Sequence, residues 1–348
     1  MTNTIENTPQ RKKEHLELSL TDKVSFKEKT SGFDKYEFEH YAITEVDIKK
    51  INFKTKFLKK EINYPFLISC MTGGTAEAER INERLAIAAN TLNIPLGVGS
   101  QRQALENKLF HDSYKIIRKN APKIPILGNI GAAQICHSKA SEQIKFLINL
   151  IEADAFVIHI NPLQELLQVN GEPFFKDFIK YLKIICRRIS VPIIIKEVGS
   201  GISKKVAQKL LDVGVKGIDV AGAGGTSWAG VEILRRHDTK YNKFWDWGLP
   251  TSYCIKTIVE LKKKKSFLLI GSGGIYNGFD IAKAMVLGAD LTASARVILH
   301  ALDKDDVKGV ESTIIDWFET VKKIMFLTGC STLTEFRKQK LIKKEELF

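Results

Sequence analysis

The chain has 348 residues, 44% hydrophobic and 27% charged, which fits a soluble globular protein with a large core. Its five cysteines, Cys70, Cys136, Cys186, Cys254 and Cys330, are an odd number with no C-x-x-C pair. They argue against a disulfide framework or a zinc site, and Cys70 and Cys186, in apolar runs, read as small core residues. The net charge of +13 invites a nucleic-acid reading, but the lysines are spread along the chain, as on a solvated surface. A concave site for a phosphate-bearing ligand is a third explanation of the charge.

Residues 1–10 are polar and expected to be mobile. The opening "MTNTIENTPQRKKEH" has no apolar h-region, and no apolar run is long enough to span a membrane, so a cytoplasmic protein is expected. From residue 66, short β-rich runs alternate with segments of helical period. The predicted strands are "FLISCM" (66–71), "PLGVG" (95–99), "PILGNI" (125–130), "AFVIHI" (155–160), "PIIIKEV" (192–198), "GIDVAG" (217–222), "FLLIGSGG" (267–274) and "LTASA" (291–295). Helices are predicted between them, as in "AERINERLAIAANTLN", "SEQIKFLINLIE" and "DIAKAMVLG", and residues 306–326 supply the last one. Eight such units predict an α/β fold, a (β/α)8 TIM barrel. Residues 1–60 form an N-terminal arm and extension, and 61–348 the barrel with a C-terminal helix and tail.

In such barrels chemistry sits where strands end and loops begin. Polar groups and glycines collect there: Thr72 and Gly73, Ser100 and Arg102, Asn129, Lys196, and Ser294. "AGAGGTSW" (221–228) and "GSGGI" (271–275) are glycine-rich loops late in the barrel, where backbone N–H groups and a following helix N-terminus can cradle a phosphate. Lys196 is an ammonium inside an apolar strand and needs a partner. Glu197 is its neighbour, but adjacent strand residues point to opposite faces, so Lys196 is expected to face the barrel mouth. There it would stabilise an anionic reduced isoalloxazine, with Asn129 and Thr72 on the pyrimidine edge. The fourth strand runs into "HINPLQE" (159–165), where His159 and Asn161 share a face and Gln164 and Glu165 begin the next element.

Nine stretches carry a resemblance: "RKKEH" (11–15), "MTGG" (71–74), "GVGSQR" (97–102), "GNIGAAQ" (128–134), "HINPLQE" (159–165), "KEVGSGIS" (196–203), "DVAGAGGTSW" (219–228), "WGLPTS" (247–252) and "GSGGIYNGFDIAKAMVLGAD" (271–290). In this order the chain resembles the type 2, FMN-dependent isopentenyl-diphosphate delta-isomerases. The resemblance implies reduced FMN as cofactor, Mg2+, NADPH as an external reductant, and interconversion of isopentenyl and dimethylallyl diphosphates. It implies that Gln164 and His159 are catalytic and that Glu165 binds the metal. Arg11, Lys12, His15, Ser100, Arg102, His159, Asn161 and Gln164 would hold the substrate, with the arm as part of a lid. Met71, Thr72, Gly73, Ser100, Asn129, Lys196, Thr226, Gly273, Gly274 and Ala295 would hold FMN. A homo-oligomer, a tetramer or an octamer, is also expected, with no nucleic-acid or membrane partner. Two departures stand out: Tyr276 replaces an arginine found in many members, and "GEPFFKDF" (171–178) replaces a "GDRDF"-like run.

The chemistry agrees with these residues. A diphosphate needs cations, and Arg11, Lys12 and Arg102 can supply them. Magnesium takes few carboxylates alongside phosphate oxygens and waters, so Glu165 suffices. Two other readings compete. An FMN-dependent oxidoreductase of the 2-hydroxy-acid oxidase type would need a histidine–arginine pair near strand seven, where this chain has Tyr253 and Lys256. A nucleic-acid-binding protein would show basic residues interleaved with aromatics, whereas the run "KKKKS" (262–266) ends a predicted helix, where lysines favour the dipole.

Overall fold

A computed structural model describes residues 8–74, 76–236 and 238–347. Eight parallel strands close into a barrel in chain order: β1 (Phe66–Ile68), β2 (Leu96–Gly97), β3 (Ile126–Gly131), β4 (Ala155–His159), β5 (Ile193–Lys196), β6 (Gly217–Asp219), β7 (Leu268–Ser272) and β8 (Leu291–Ser294). Ring closure comes from β8 against β1, with Thr292 opposite Phe66 and Ser294 opposite Ile68. Every predicted strand is present at its place, trimmed to the residues that enter the ladder. The predicted helices appear over Ala76–Leu92, Ala140–Ile151 and Gly278–Val286.

The strands alternate two apolar faces. Leu67, Leu127, Val157, Ile194, Ile270 and Ala293 fill the barrel interior. Their neighbours Phe66, Ile126, Ile130, Ile158, Ile195 and Leu269 point outward and pack under the helices. The interior is also closed from below. A hairpin of Thr55–Phe57 and Lys60–Ile62 inserts Phe57 and Ile62 into that same inner cluster. The opposite end, where the strands terminate, is not plugged by apolar side chains and holds a cavity.

Helix α1 (Thr8–Ser19) lies before this hairpin, and α2 is Ala76–Leu92. Of the segment expected to be mobile, residues 1–7 lie outside the described residues, whereas Thr8–Gln10 already belong to α1. At the far end, Arg296–Leu327 is one helical stretch with non-helical backbone at Asp305 and Asp306, so the predicted closing helix begins just past that break. The tail returns to the extension: Leu341–Lys343 pairs antiparallel with Tyr36–Phe38. Among the described residues no helix is long and apolar enough to cross a membrane.

Candidate active site

A cavity of about 310 Å³ opens at the carboxyl ends of the strands. Its walls come from residues as far apart as Arg11 and Leu299, and all eighteen site residues expected from the sequence line it.

One wall is a backbone cup. Gly273 and Gly274 follow β7 with φ of 94° and 65°, where a side chain is strained. A Cβ at Gly273 would lie 2.2 Å from the Gly222 carbonyl oxygen, and one at Gly274 would lie 2.7 Å from that of Gly224. The two glycine loops therefore touch backbone to backbone. Thr251 locks them by donating its hydroxyl to the Gly273 carbonyl at 2.6 Å. The helix starting at Arg296, immediately after Ala295, turns its N-terminus toward the same wall, where its free N–H groups and dipole favour an anion. The Arg296 guanidinium donates to Ser25 Oγ at 2.8 Å and to Tyr276 Oη at 3.3 Å. Its buried Nη1 has no hydrogen-bond partner among the described residues. A cup that a side chain would fill, a helix N-terminus and an orphaned guanidinium nitrogen together fit a phosphate. Tyr276 donates to the Gly224 carbonyl at 3.1 Å and holds Arg296 in place.

The floor comes from neighbouring strands. In register, Gly131 sits beside His159, His159 beside Lys196, and Lys196 beside Asp219. Lys196 faces the cavity as expected and donates to the Glu197 carbonyl at 2.8 Å, with Asp219 Oδ2 at 3.5 Å. Glu197 points away, its Oε2 accepting from the backbone N–H groups of Val198, Gly199, Ser200 and Gly201. Asn129 donates its amide to the Val98 carbonyl at 3.2 Å, which leaves its Oδ1 facing His159 Nδ1 at 2.9 Å. His159 therefore carries its proton on Nδ1 and keeps Nε2 as an acceptor. Burial, reinforced by the Lys196 and Lys12 charges, pushes its pKa down to about 4, so the ring is neutral near pH 7. The Thr72 hydroxyl donates to Asn82 Oδ1 at 2.9 Å, so only its lone pairs remain for a ligand. Cys70 packs against the inner core cluster and also lines this floor, with burial pushing its thiol up to about 12.

Above the floor sits the polar cluster that ends β4. Pro162–Leu167 forms a short helix, α3, with Pro162 at its first turn. Asn161 Nδ2 donates to Gln164 Oε1 at 2.9 Å and Glu165 Oε1 at 3.0 Å, tying the three together. Glu165 Oε2 accepts from the Glu172 backbone at 2.7 Å. Among the described residues no group of three or more histidines, cysteines and carboxylates is arranged to hold a metal. A cation at Glu165 would take its remaining ligands from a bound anion and water.

The arm closes the mouth. Lys12 donates to the Gly73 carbonyl at 2.5 Å, and burial together with Arg11 and Arg102 pushes its pKa down to about 7. His15 Nε2 meets Glu232 Oε1 at 2.9 Å and sits edge-on to Trp228. Arg102 lines the cavity, but its guanidinium is engaged by Glu106 at 2.9 Å and by both oxygens of Glu172 at 3.1 and 3.3 Å.

Three residues of this site escaped the sequence reading. Glu232, on α4 (Trp228–Arg236), is fully buried and accepts from Gln164 at 3.2 Å as well as pairing with His15 and Arg235. Burial would raise its carboxyl, yet the His15, Arg235 and Gln164 contacts hold it below the usual range. Its only sequence signal was an ordinary i,i+3 pair with Arg235. Glu172, which anchors Arg102 and also accepts from Gln134 at 2.9 Å, lies in the segment that departs from the family pattern. Arg296 sits one residue past the expected Ala295.

The closed parallel barrel with this glycine cup defines a flavin-binding class. A family described as FMN-dependent dehydrogenase matches residues 5–111 and 163–343. Among solved structures, a flavocytochrome b2 variant with sulfite bound aligns with a TM-score of 0.67 at 19% identity, covering 92% of this chain and 80% of that one. A mandelate oxidase variant gives 0.64 at 14% identity, covering 93% of both chains. These low identities establish the fold. Curated relatives go further. Isopentenyl-diphosphate delta-isomerase of Pelodictyon phaeoclathratiforme is 42% identical over 351 residues, covering 97% of this chain and 98% of that one. That of Chlorobium limicola is 42% identical, covering 99% of each, and that of Nostoc sp. 39%, covering 95% and 94%. The chain belongs to the isopentenyl-diphosphate delta-isomerase family, in its type 2, FMN-dependent form.

Proposed function

We propose that this enzyme interconverts isopentenyl and dimethylallyl diphosphates with reduced FMN and Mg2+, NADPH serving as external reductant. One observation carries the reading: the phosphate cup and the His159–Asn161–Gln164–Glu165 cluster open into one cavity capped by cations of the arm. The cup of Gly273, Gly274, Thr226 and Ala295, with Arg296 added, would hold the FMN phosphate, and Met71, Thr72, Gly73, Ser100, Asn129 and Lys196 the ring. Reduced flavin supplies an electron-rich ring that can exchange a proton and stabilise positive charge, chemistry for which no strong side-chain acid is evident here.

The chain's own residues do the rest. Arg11, Lys12 and Arg102 neutralise the diphosphate, His15 adds a contact to it, and Glu165 holds the magnesium ion against it. Glu172 must give up part of Arg102 to the incoming anion. Gln164, steadied by Asn161 and Glu232, presents a neutral amide to the reacting carbons. His159 enters neutral, and a bound anion favours its protonated form, so it serves as a proton reservoir and diphosphate contact together. Within the extension of residues 1–60, the arm around α1 forms part of a lid over the barrel mouth and excludes water from a reaction that passes a tertiary cation.

The test is anaerobic conversion of isopentenyl diphosphate with Mg2+, by protein whose flavin is reduced, oxidised or removed. Turnover only in the reduced state supports the proposal. Equal turnover after flavin removal would refute it.

A further inference from the structure

Asp219 is a charge the catalytic account leaves unused. It is a carboxylate at the carboxyl end of barrel strand β6, 2% exposed. Burying it is costly unless it is paired and hydrogen-bonded, and replacing such a pair with apolar groups is often neutral or stabilising. Its environment satisfies it closely. Register places it beside Lys196 on one side and Ile270 on the other, two residues before Ser272. Ser272 donates its hydroxyl to Asp219 Oδ1 at 2.5 Å, and the Lys196 ammonium lies 3.5 Å from Oδ2. Lys196 and Ser272 both line the cavity, and Asp219 packs behind them.

We propose that Asp219 lowers the reduction potential of the bound flavin by partly cancelling the charge that Lys196 presents to it. Asp219 acts through Lys196 and is a positioning residue, without touching the cofactor. The inference rests on the FMN reading above. Two distances decide how it acts. Lys196 makes its closer contact with the Glu197 carbonyl, at 2.8 Å, so the ammonium keeps its place without Asp219. What the carboxylate adds at 3.5 Å is chiefly charge. An unpaired ammonium favours the reduced ring, which carries more negative charge than the oxidised one. An ammonium paired with a buried carboxylate favours it less. The ring then stays more electron-rich and holds its protons more firmly, as suits a flavin that exchanges a proton without net electron transfer.

The test is the midpoint potential of FMN in the holoenzyme, with affinities for oxidised and reduced FMN measured alongside. Asp219→Asn keeps the shape and an acceptor for Ser272 but removes the charge. The potential should move positive, and the preference for reduced over oxidised FMN should rise about tenfold. Ser272→Ala leaves the carboxylate less compensated and should move the potential the other way. This opposite sign separates a charge effect from simple loosening, and it gives a reading if Asp219→Asn fails to fold. An unchanged or negative shift in Asp219→Asn, or an unchanged or positive shift in Ser272→Ala, overturns the inference and leaves FMN binding intact. Failure of the unsubstituted protein to bind FMN overturns both.

Discussion

The two walls of the cavity are built on different physical terms. The cup and floor rest on backbone: positive-φ glycines, carbonyl-to-glycine contacts and strand register. The lid rests on side-chain charge: Lys12 on carbonyl oxygens, His15 and Arg235 on Glu232, Arg102 on Glu106 and Glu172. A backbone wall suits a cofactor that stays. A charged wall that is already internally paired suits an anionic substrate that must enter and leave, because exchanging one carboxylate for a diphosphate costs less than ordering free cations.

Breaking the lid should give the largest effect. Deleting residues 1–15 removes Arg11, Lys12 and His15 together, and since one charge-assisted contact is worth roughly 1.5–3 kcal/mol, the Michaelis constant should rise by about a thousandfold. Fold and FMN content, read by circular dichroism and flavin absorbance, should not change. Unaltered substrate affinity would show that the arm is a tail.

Breaking the cup should do the reverse. Gly273→Ala forces a Cβ to 2.2 Å from the Gly222 carbonyl at a φ of 94°. Strain of about 1–3 kcal/mol plus that clash should weaken FMN by roughly a hundredfold in a fluorescence titration. Retention of FMN at wild-type affinity would remove the cup from the cofactor site.

A pH series sharpens the contrast with a smaller effect. With its pKa down at about 7, Lys12 is charged in the free protein below that pH and neutral above it. An anion needs the ammonium, so above pH 7 binding must first take up a proton. The Michaelis constant should therefore rise with pH by up to about tenfold per unit. Lys12→Arg, which stays charged, should flatten the profile. A profile equally steep in both proteins would locate the titrating group elsewhere.

The same division explains what the sequence disclosed. Strands announce themselves by apolar runs of fixed period, and barrel topology then dictates where each one ends, so Lys196, Asn129 and the two glycine loops were placed by position alone. Cys70, read as a small core residue, packs against the inner cluster and also lines the cavity floor, a double position that an apolar run does not disclose. The lid is harder. Glu232 reaches Gln164 across 68 positions and His15 across 217, and no local pattern encodes such a convergence. Arg102 was read as a cation for the diphosphate; its pairing with Glu106 is local, but that with Glu172, 70 residues away, is not. The Thr72 hydroxyl lines the cavity as expected, but its proton goes to Asn82 ten residues later, a contact made only when α2 docks.

The central claim is that backbone wall and charged lid close on one shared cavity. It is tested most directly by the absorption spectrum of the bound flavin while isopentenyl diphosphate and Mg2+ are titrated in. The account predicts a saturable perturbation in the full chain, absent at the same concentrations once residues 1–15 are removed. A flavin spectrum that stays constant while the full chain binds substrate would contradict it.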